Sequence, residues 1–136
     1  MIEQLEPFVG TWRVETSLGD MAAETTFESV LGGAFLLQRS EIDMAEAPDA
    51  LCLIGVAGEH FRQYYFDSRG VVRTYAMTFD GTTWTLARVE PEITPQTWLQ
   101  RYHGEHRGDR IDGRWEKTEP GESEFTLDFE LSYMRS

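Results

Sequence analysis

Two histidines close together are the first residues whose types and spacing could do chemistry. In the stretch His103-Gly-Glu-His106 the imidazoles stand three positions apart with Glu105 between them. Histidine and glutamate ligate metals and carry protons. Positions three apart on a strand face opposite sides of the sheet, so only a turn would bring the pair together. No cysteine ligands and no third ligand accompany them, and no metal site is expected. Carboxylates are abundant, but no Ser-His-Asp spacing or nucleophile elbow goes with them. Gly32-Gly33-Ala34-Phe35-Leu36 lacks the lysine and the following helix of a phosphate loop.

Arginines that share a period-two row with apolar residues are more informative. If Phe35 and Leu37 face inward, so do Arg39 and Glu41. If Tyr75 and Met77 face inward, so does Arg73. Tyr64 shares a face with Phe66, Trp98 with Gln100 and Tyr102, and Trp84 with Leu86 and Arg88. A buried charge must be paired, so a dry core would not hold those arginines. A cavity holding an anionic or polar-headed molecule would, and apolar walls with a few polar fixing groups are the ordinary makeup of such a site. The alternative is a slip of parity at a bulge, which would turn the arginines outward and leave the aromatics as core.

The elements that must position these residues are strands. Period-two segments cover 11–16, 24–31, 34–42, 51–56, 62–67, 71–79, 82–89, 97–103, 109–117 and 124–136. Turn residues separate them at the spacing of an antiparallel sandwich or barrel. Asp80-Gly81 reads as a type I′ hairpin turn. In the last segment Phe125, Leu127, Phe129, Leu131 and Tyr133 fall on one face, and polar residues fall on the other. Only the N-terminus looks helical, with Ile2, Leu5 and Phe8 or Val9 recurring at helical spacing. Such a short helix must dock on something to be stable. The predicted fold is a single all-β domain spanning 1–136. It is an antiparallel up-and-down barrel of about ten strands, closed because closure removes sheet edges, with the short helix capping one end.

Closure makes a specific prediction. The first and last strands pair antiparallel, so Trp12 at the start of one meets Arg135 at the end of the other. The guanidinium then lies over the indole and closes the barrel structurally, a cation–π stack worth about 0.5–2 kcal/mol.

Gly10-Thr11-Trp12 after a short helix, with an arginine closing the last strand, resembles the calycin superfamily of lipocalins, fatty-acid-binding proteins and nitrobindins. The ordered set YYFDSRG, DGTTWTLAR, GRWEKTE and DFELSY is similar to a bacterial lipocalin-like family with no assigned reaction. The resemblance covers essentially the whole chain and implies a small barrel with an internal cavity. It implies non-catalytic binding of a small hydrophobic or amphipathic molecule, anionic ligands included. The candidate lumen residues are Phe35, Leu37, Arg39, Glu41, Tyr64, Phe66, Arg73, Tyr75, Met77, Trp98, Tyr102 and Phe129. Arg39 or Arg73 would fix an anionic head.

Other readings stay open. Nitrobindins hold haem through a histidine near the C-terminal strands. Here no histidine follows His106, and RVET stands where that family continues with glycines; only His60, in a loop signal, could reach a barrel mouth. No cofactor is therefore expected. A cyclase- or isomerase-type barrel enzyme would need a lumen carboxylate with a raised pKa, for which Glu41 is the candidate. A protein-interaction barrel would carry exposed aromatics, such as Tyr65 or Trp115, in an outer patch.

The formal net charge of −12 over 136 residues disfavours nucleic acid and anionic membrane surfaces as partners. Cys52 is the only cysteine, it sits in an apolar run, and it reads as a buried structural thiol. With no secretory signal in MIEQLEP and no apolar stretch of membrane-span length, a reducing, cytoplasmic setting is expected, with the chain a monomer or homodimer.

Overall fold

The computed structural model describes residues 1–19, 22–43, 48–88, 99–119 and 121–136. Trp98, one of the expected lumen residues, lies outside them. Ten strands follow in chain order: β1 (Gly10–Thr16), β2 (Ala23–Val30), β3 (Phe35–Ile42), β4 (Ala50–Ala57), β5 (His60–Asp67), β6 (Val72–Phe79), β7 (Thr83–Arg88), β8 (Gln100–Arg107), β9 (Arg110–Thr118) and β10 (Phe125–Arg135). Each pairs antiparallel with its sequence neighbours, and β10 returns to β1, so the barrel is closed. Among the described residues no helix is long and apolar enough to cross a membrane.

The N-terminal segment Ile2–Phe8 is a 3₁₀ helix. Ile2, Leu5 and Phe8 recur every three residues, which is the 3₁₀ period, so they stack on one edge. Leu5 and Phe8 are buried. The Phe8 ring meets Phe79 and Trp84 edge-on, with centroids 4.8 and 5.0 Å away.

This helix plugs one end of the barrel, held there by side chains that satisfy its terminal carbonyls. Trp12 pairs with Arg135 across β1 and β10, and the Arg135 Cζ lies 4.1 Å from the indole centroid. Trp12 Nε1–H donates to the Phe8 carbonyl at 2.8 Å. Arg135 donates to the Val9 and Pro7 carbonyls, both at 2.8 Å, and to Asp109 at 3.1 Å. His106 Nε2 lies 3.1 Å from the Pro7 carbonyl; that oxygen can only accept, so Nε2 carries the proton. The glycine of Gly-Thr-Trp has two reasons to be there. Gly10 has φ +131°, and a Cβ on it would sit 2.6 Å from Arg135 Nη1.

Two local expectations are corrected. The β6–β7 connection is not a type I′ turn, because Asp80 lacks the positive φ that turn requires. Instead its carboxylate accepts from the Thr82 and Thr83 amides at 2.9 and 2.7 Å, an Asx-type turn. The row of β10 does not run unbroken. The register against β9 shifts between Leu127 and Phe129. This bulge puts Phe125 and Leu127 on the outer face, where Leu127 is 58% exposed and Arg101 lies 3.9 Å over the Phe125 ring. Phe129 and Tyr133 keep the inner face.

Tyr102 shows what glycines inside strands are for. Gly104 and Gly113 pair directly across β8 and β9, and the Tyr102 ring fills the space that both leave empty. Its hydroxyl donates to the Leu131 carbonyl at 3.1 Å. A Cβ on Gly113 would lie 2.0 Å from that hydroxyl oxygen.

Candidate functional site

Among the described residues, the lumen cavity lies toward the end opposite the plug. Trp84 forms its floor, in edge-on contact with Phe8 and Tyr102 at 5.0 Å each. Above it is a cavity of about 230 Å³. A four-strand row, Gln38–Cys52–Tyr65–Arg73, crosses its wall from β3 to β6. Gln63, Tyr75, Gln100, Trp115 and Phe129 complete the lining that matters chemically, and no described lining residue is a carboxylate. A larger hollow of about 1010 Å³ lies outside the same end, between β1, β2 and β3. It is open and edged by Glu15, Glu24, Glu41, Asp43 and Asp49, and none of its described lining residues is a buried polar group.

The polar groups of the cavity are held by one another. Gln63 Nε2 donates to Gln38 Oε1 at 2.9 Å, and Tyr75 donates to Gln100 Oε1 at 3.1 Å. The Tyr65 hydroxyl donates to Asp67 at 2.8 Å, and the Tyr65 ring lies 5.6 Å from the Arg73 Cζ. Arg73 is 8% exposed and Arg88 is 1% exposed. A guanidinium stays charged at every ordinary pH.

Burial raises the phenol pKa values of Tyr65, Tyr75 and Tyr133. The Asp67 carboxylate raises Tyr65 further, while Arg73 and Arg88 partly oppose the rise at Tyr75. These phenols are therefore neutral donors near pH 7, not bases. At Asp67 burial also acts to raise the pKa, but hydrogen bonds from Arg69, Tyr65 and the amides of Arg69 and Val71 outweigh it and hold the carboxyl at about 2.

Cys52 is buried on the same wall, and burial pushes its thiol up to about 12. At pH 8 the native protein is therefore expected to resist a disulfide reagent such as 5,5′-dithiobis(2-nitrobenzoate), with full reaction of one thiol only after unfolding. Rapid labelling of the native chain would contradict this placement.

The sequence-derived residues divide sharply. Arg73, Tyr75 and Phe129 line the cavity. Met77 and Tyr102 are inward but deeper, 0% and 2% exposed, in the packed core. Trp12 and Arg135 form the plug. Phe35, Leu37, Arg39, Glu41, Tyr64 and Phe66 are corrected to the outer face. Their strands run one residue out of phase with the expectation: Leu36 and Gln38 face inward on β3, and Phe61, Gln63 and Tyr65 on β5. Arg39 pairs with Glu28 at 3.6 Å, both half-exposed, on the outside. Tyr65 and Trp115, which an interaction barrel would have carried as exposed outer aromatics, are on the inside.

The cause of the slip is physical. Around this cavity the inner wall is glutamine, serine and tyrosine, while the outer face of the same strands is leucine and phenylalanine. A rule that sends the apolar row inward therefore selects the wrong face. The paired glutamines Gln38 and Gln63 were missed. Two glutamines, each two residues past an apolar side chain on its own row (Leu36 and Phe61), were the available signal.

None of the three histidines lines the cavity. His60 is exposed at the β4–β5 turn, beside the plugged end. His103 faces outward toward Glu105 at 3.0 Å, and β8 continues straight through His106, which belongs to the plug. The lumen wall thus offers no histidine for haem, and His103 and His106 do not converge. Among the described residues no group of three metal-ligating side chains forms. Glu41, on which the acid–base reading rested, is exposed. The chain matches no protein-family model and no curated protein.

Proposed function

We propose that the barrel binds, without catalysis, a small hydrophobic or amphipathic molecule that carries an anionic group. The observation that carries this reading is Arg73, a nearly buried guanidinium on the wall of a 230 Å³ cavity lined also by aromatic and amide side chains such as Tyr75, Trp115, Gln38 and Gln63. Aromatic walls supply burial at about 25 cal/mol per Å². The guanidinium supplies a charge-assisted hydrogen bond to the anionic head. The cavity lies a little below the ~300–1,000 Å³ of drug-sized pockets, which favours a compact ligand. The calycin resemblance of the sequence supports the same reading, and the buried, unreactive thiol suits a reducing, cytoplasmic setting.

Calorimetry with hexanoate and hexan-1-ol tests it, because the two differ mainly in charge. Arg73→Ala is expected to weaken hexanoate roughly 10- to 100-fold, the range of one charged hydrogen bond. Hexanol should change less than about twofold. Equal loss for both ligands, or none for either, would remove Arg73 from the role. Native mass spectrometry of protein purified from cells, beside a denaturing spectrum, would weigh any ligand carried through purification.

A further inference from the structure

The outer face of β3–β6 is more apolar than the wall behind it. Leu37, Leu53 and Tyr64 form one cross-strand row. Leu51, Phe66 and Val72 form the next. Phe35 extends the patch toward the plug, its ring so close over Gly55 that a Cβ there would lie 2.7 Å away. Leu37 points away from the lumen and stands outside the central core, yet it is only 8% exposed. These side chains therefore shield one another as an organised cluster. Tyr64 and Phe66 remain 43% and 39% exposed. Scattered exposed apolar residues need no explanation, but a contiguous double row across a sheet marks an interaction surface.

Charge decides which partner fits. The chain has 24 acidic and 12 basic residues, counting Asp and Glu against Lys and Arg. On the outward rows of β3–β6 the formal charges are Arg39, Arg62 and Glu41. A polyanion would be drawn to the arginines but repelled by the net charge of the whole molecule. A basic partner would be drawn to the acidic residues outside this face. A second copy meets repulsion from the acidic surfaces, and least of it here. Pairing the two patches apposes faces free of acidic excess and keeps the acidic rims apart. Three strand spacings of about 4.8 Å and two rows about 7 Å apart, with side-chain margins, give on the order of 400 Å² per copy. That is about half of the ~800 Å² per partner of a standard interface, so the association is weak and reversible. We propose that two copies of this chain pack the outer faces of β3–β6 on each other in a two-fold dimer.

Sedimentation velocity from about 10 µM to about 1 mM, at about 50 and about 500 mM NaCl, tests this, since salt screens the mutual repulsion of the acidic copies. Dimer is expected to grow with concentration and to strengthen at the higher salt. Tyr64→Glu should raise the dimer Kd at least about tenfold. Leu127→Ser, at an exposed apolar residue of β10, should leave it unchanged. Arg62→Glu, which keeps the apolar rows and adds acid to both faces, should weaken the dimer even if Tyr64→Glu fails to fold. A monomer at every concentration overturns the proposal. So does a dimer indifferent to these face variants, or one that dissociates as salt rises.

Discussion

Trp12→Ala is expected to loosen the plugged end of the barrel and to cost about 3–5 kcal/mol, the range for deleting a buried large aromatic. In a chain of this size that is roughly 10–20 °C in Tm. The indole is fully buried, donates to the Phe8 carbonyl and carries the Arg135 guanidinium on its face. Its loss leaves a cavity, an unsatisfied carbonyl and an arginine with nothing beneath it. Arg135→Lys should be nearly as harmful to the helix as Arg135→Ala. An ammonium cannot span Val9, Pro7 and Asp109 together as the planar guanidinium does. Thermal unfolding and amide exchange at Leu5 to Val9 check both statements. A Tm loss below about 3 °C for Trp12→Ala, or full rescue by lysine, would contradict the role given to the plug.

Gly113→Ala is the second large effect. Its added methyl would lie 2.0 Å from the Tyr102 hydroxyl oxygen and 2.3 Å from the ring carbon that bears it. Overpacking of this kind costs about 1–3 kcal/mol. Moving the ring also breaks the part-buried bond to the Leu131 carbonyl, worth about another 1 kcal/mol. The double variant Gly113→Ala, Tyr102→Phe should recover part of the loss, because it removes the atom in closest collision. Chemical denaturation of the three variants reads the coupling. Additive losses would mean that the ring does not fill the glycine gap.

The strand count and the closure were legible in the sequence, because turn chemistry punctuates every strand. Closure alone then placed Trp12 against Arg135, since antiparallel pairing fixes which ends meet. The inward residues of β6, Arg73, Tyr75 and Met77, were also legible, because Val72, Thr74 and Ala76 offer no competing row of large side chains. β3 and β5 were not. Leu36 and Leu37 are adjacent, as are Tyr64 and Tyr65, so both parities look apolar. Only the cross-strand register, which no single strand encodes, resolves them. The bulge between Leu127 and Phe129 was hidden for a related reason: an unbroken alternation of apolar residues says nothing about where the partner strand loses step. The cavity was legible as a conflict between buried arginines and a dry core. Its glutamine wall emerged only with the register.

The most direct test of the lumen as a small-molecule site follows the tryptophan indole N–H signals by NMR while hexanoate is added. Trp84 forms the cavity floor and Trp115 part of its wall, whereas Trp12 is sealed in the plug at the far end. Saturable shifts of the Trp84 and Trp115 signals, with Trp12 unmoved and the midpoint raised roughly 10- to 100-fold in Arg73→Ala, are the predicted result. No saturable change at Trp84 or Trp115 up to about 10 mM, a Kd beyond which binding is worth less than about 3 kcal/mol, would contradict it.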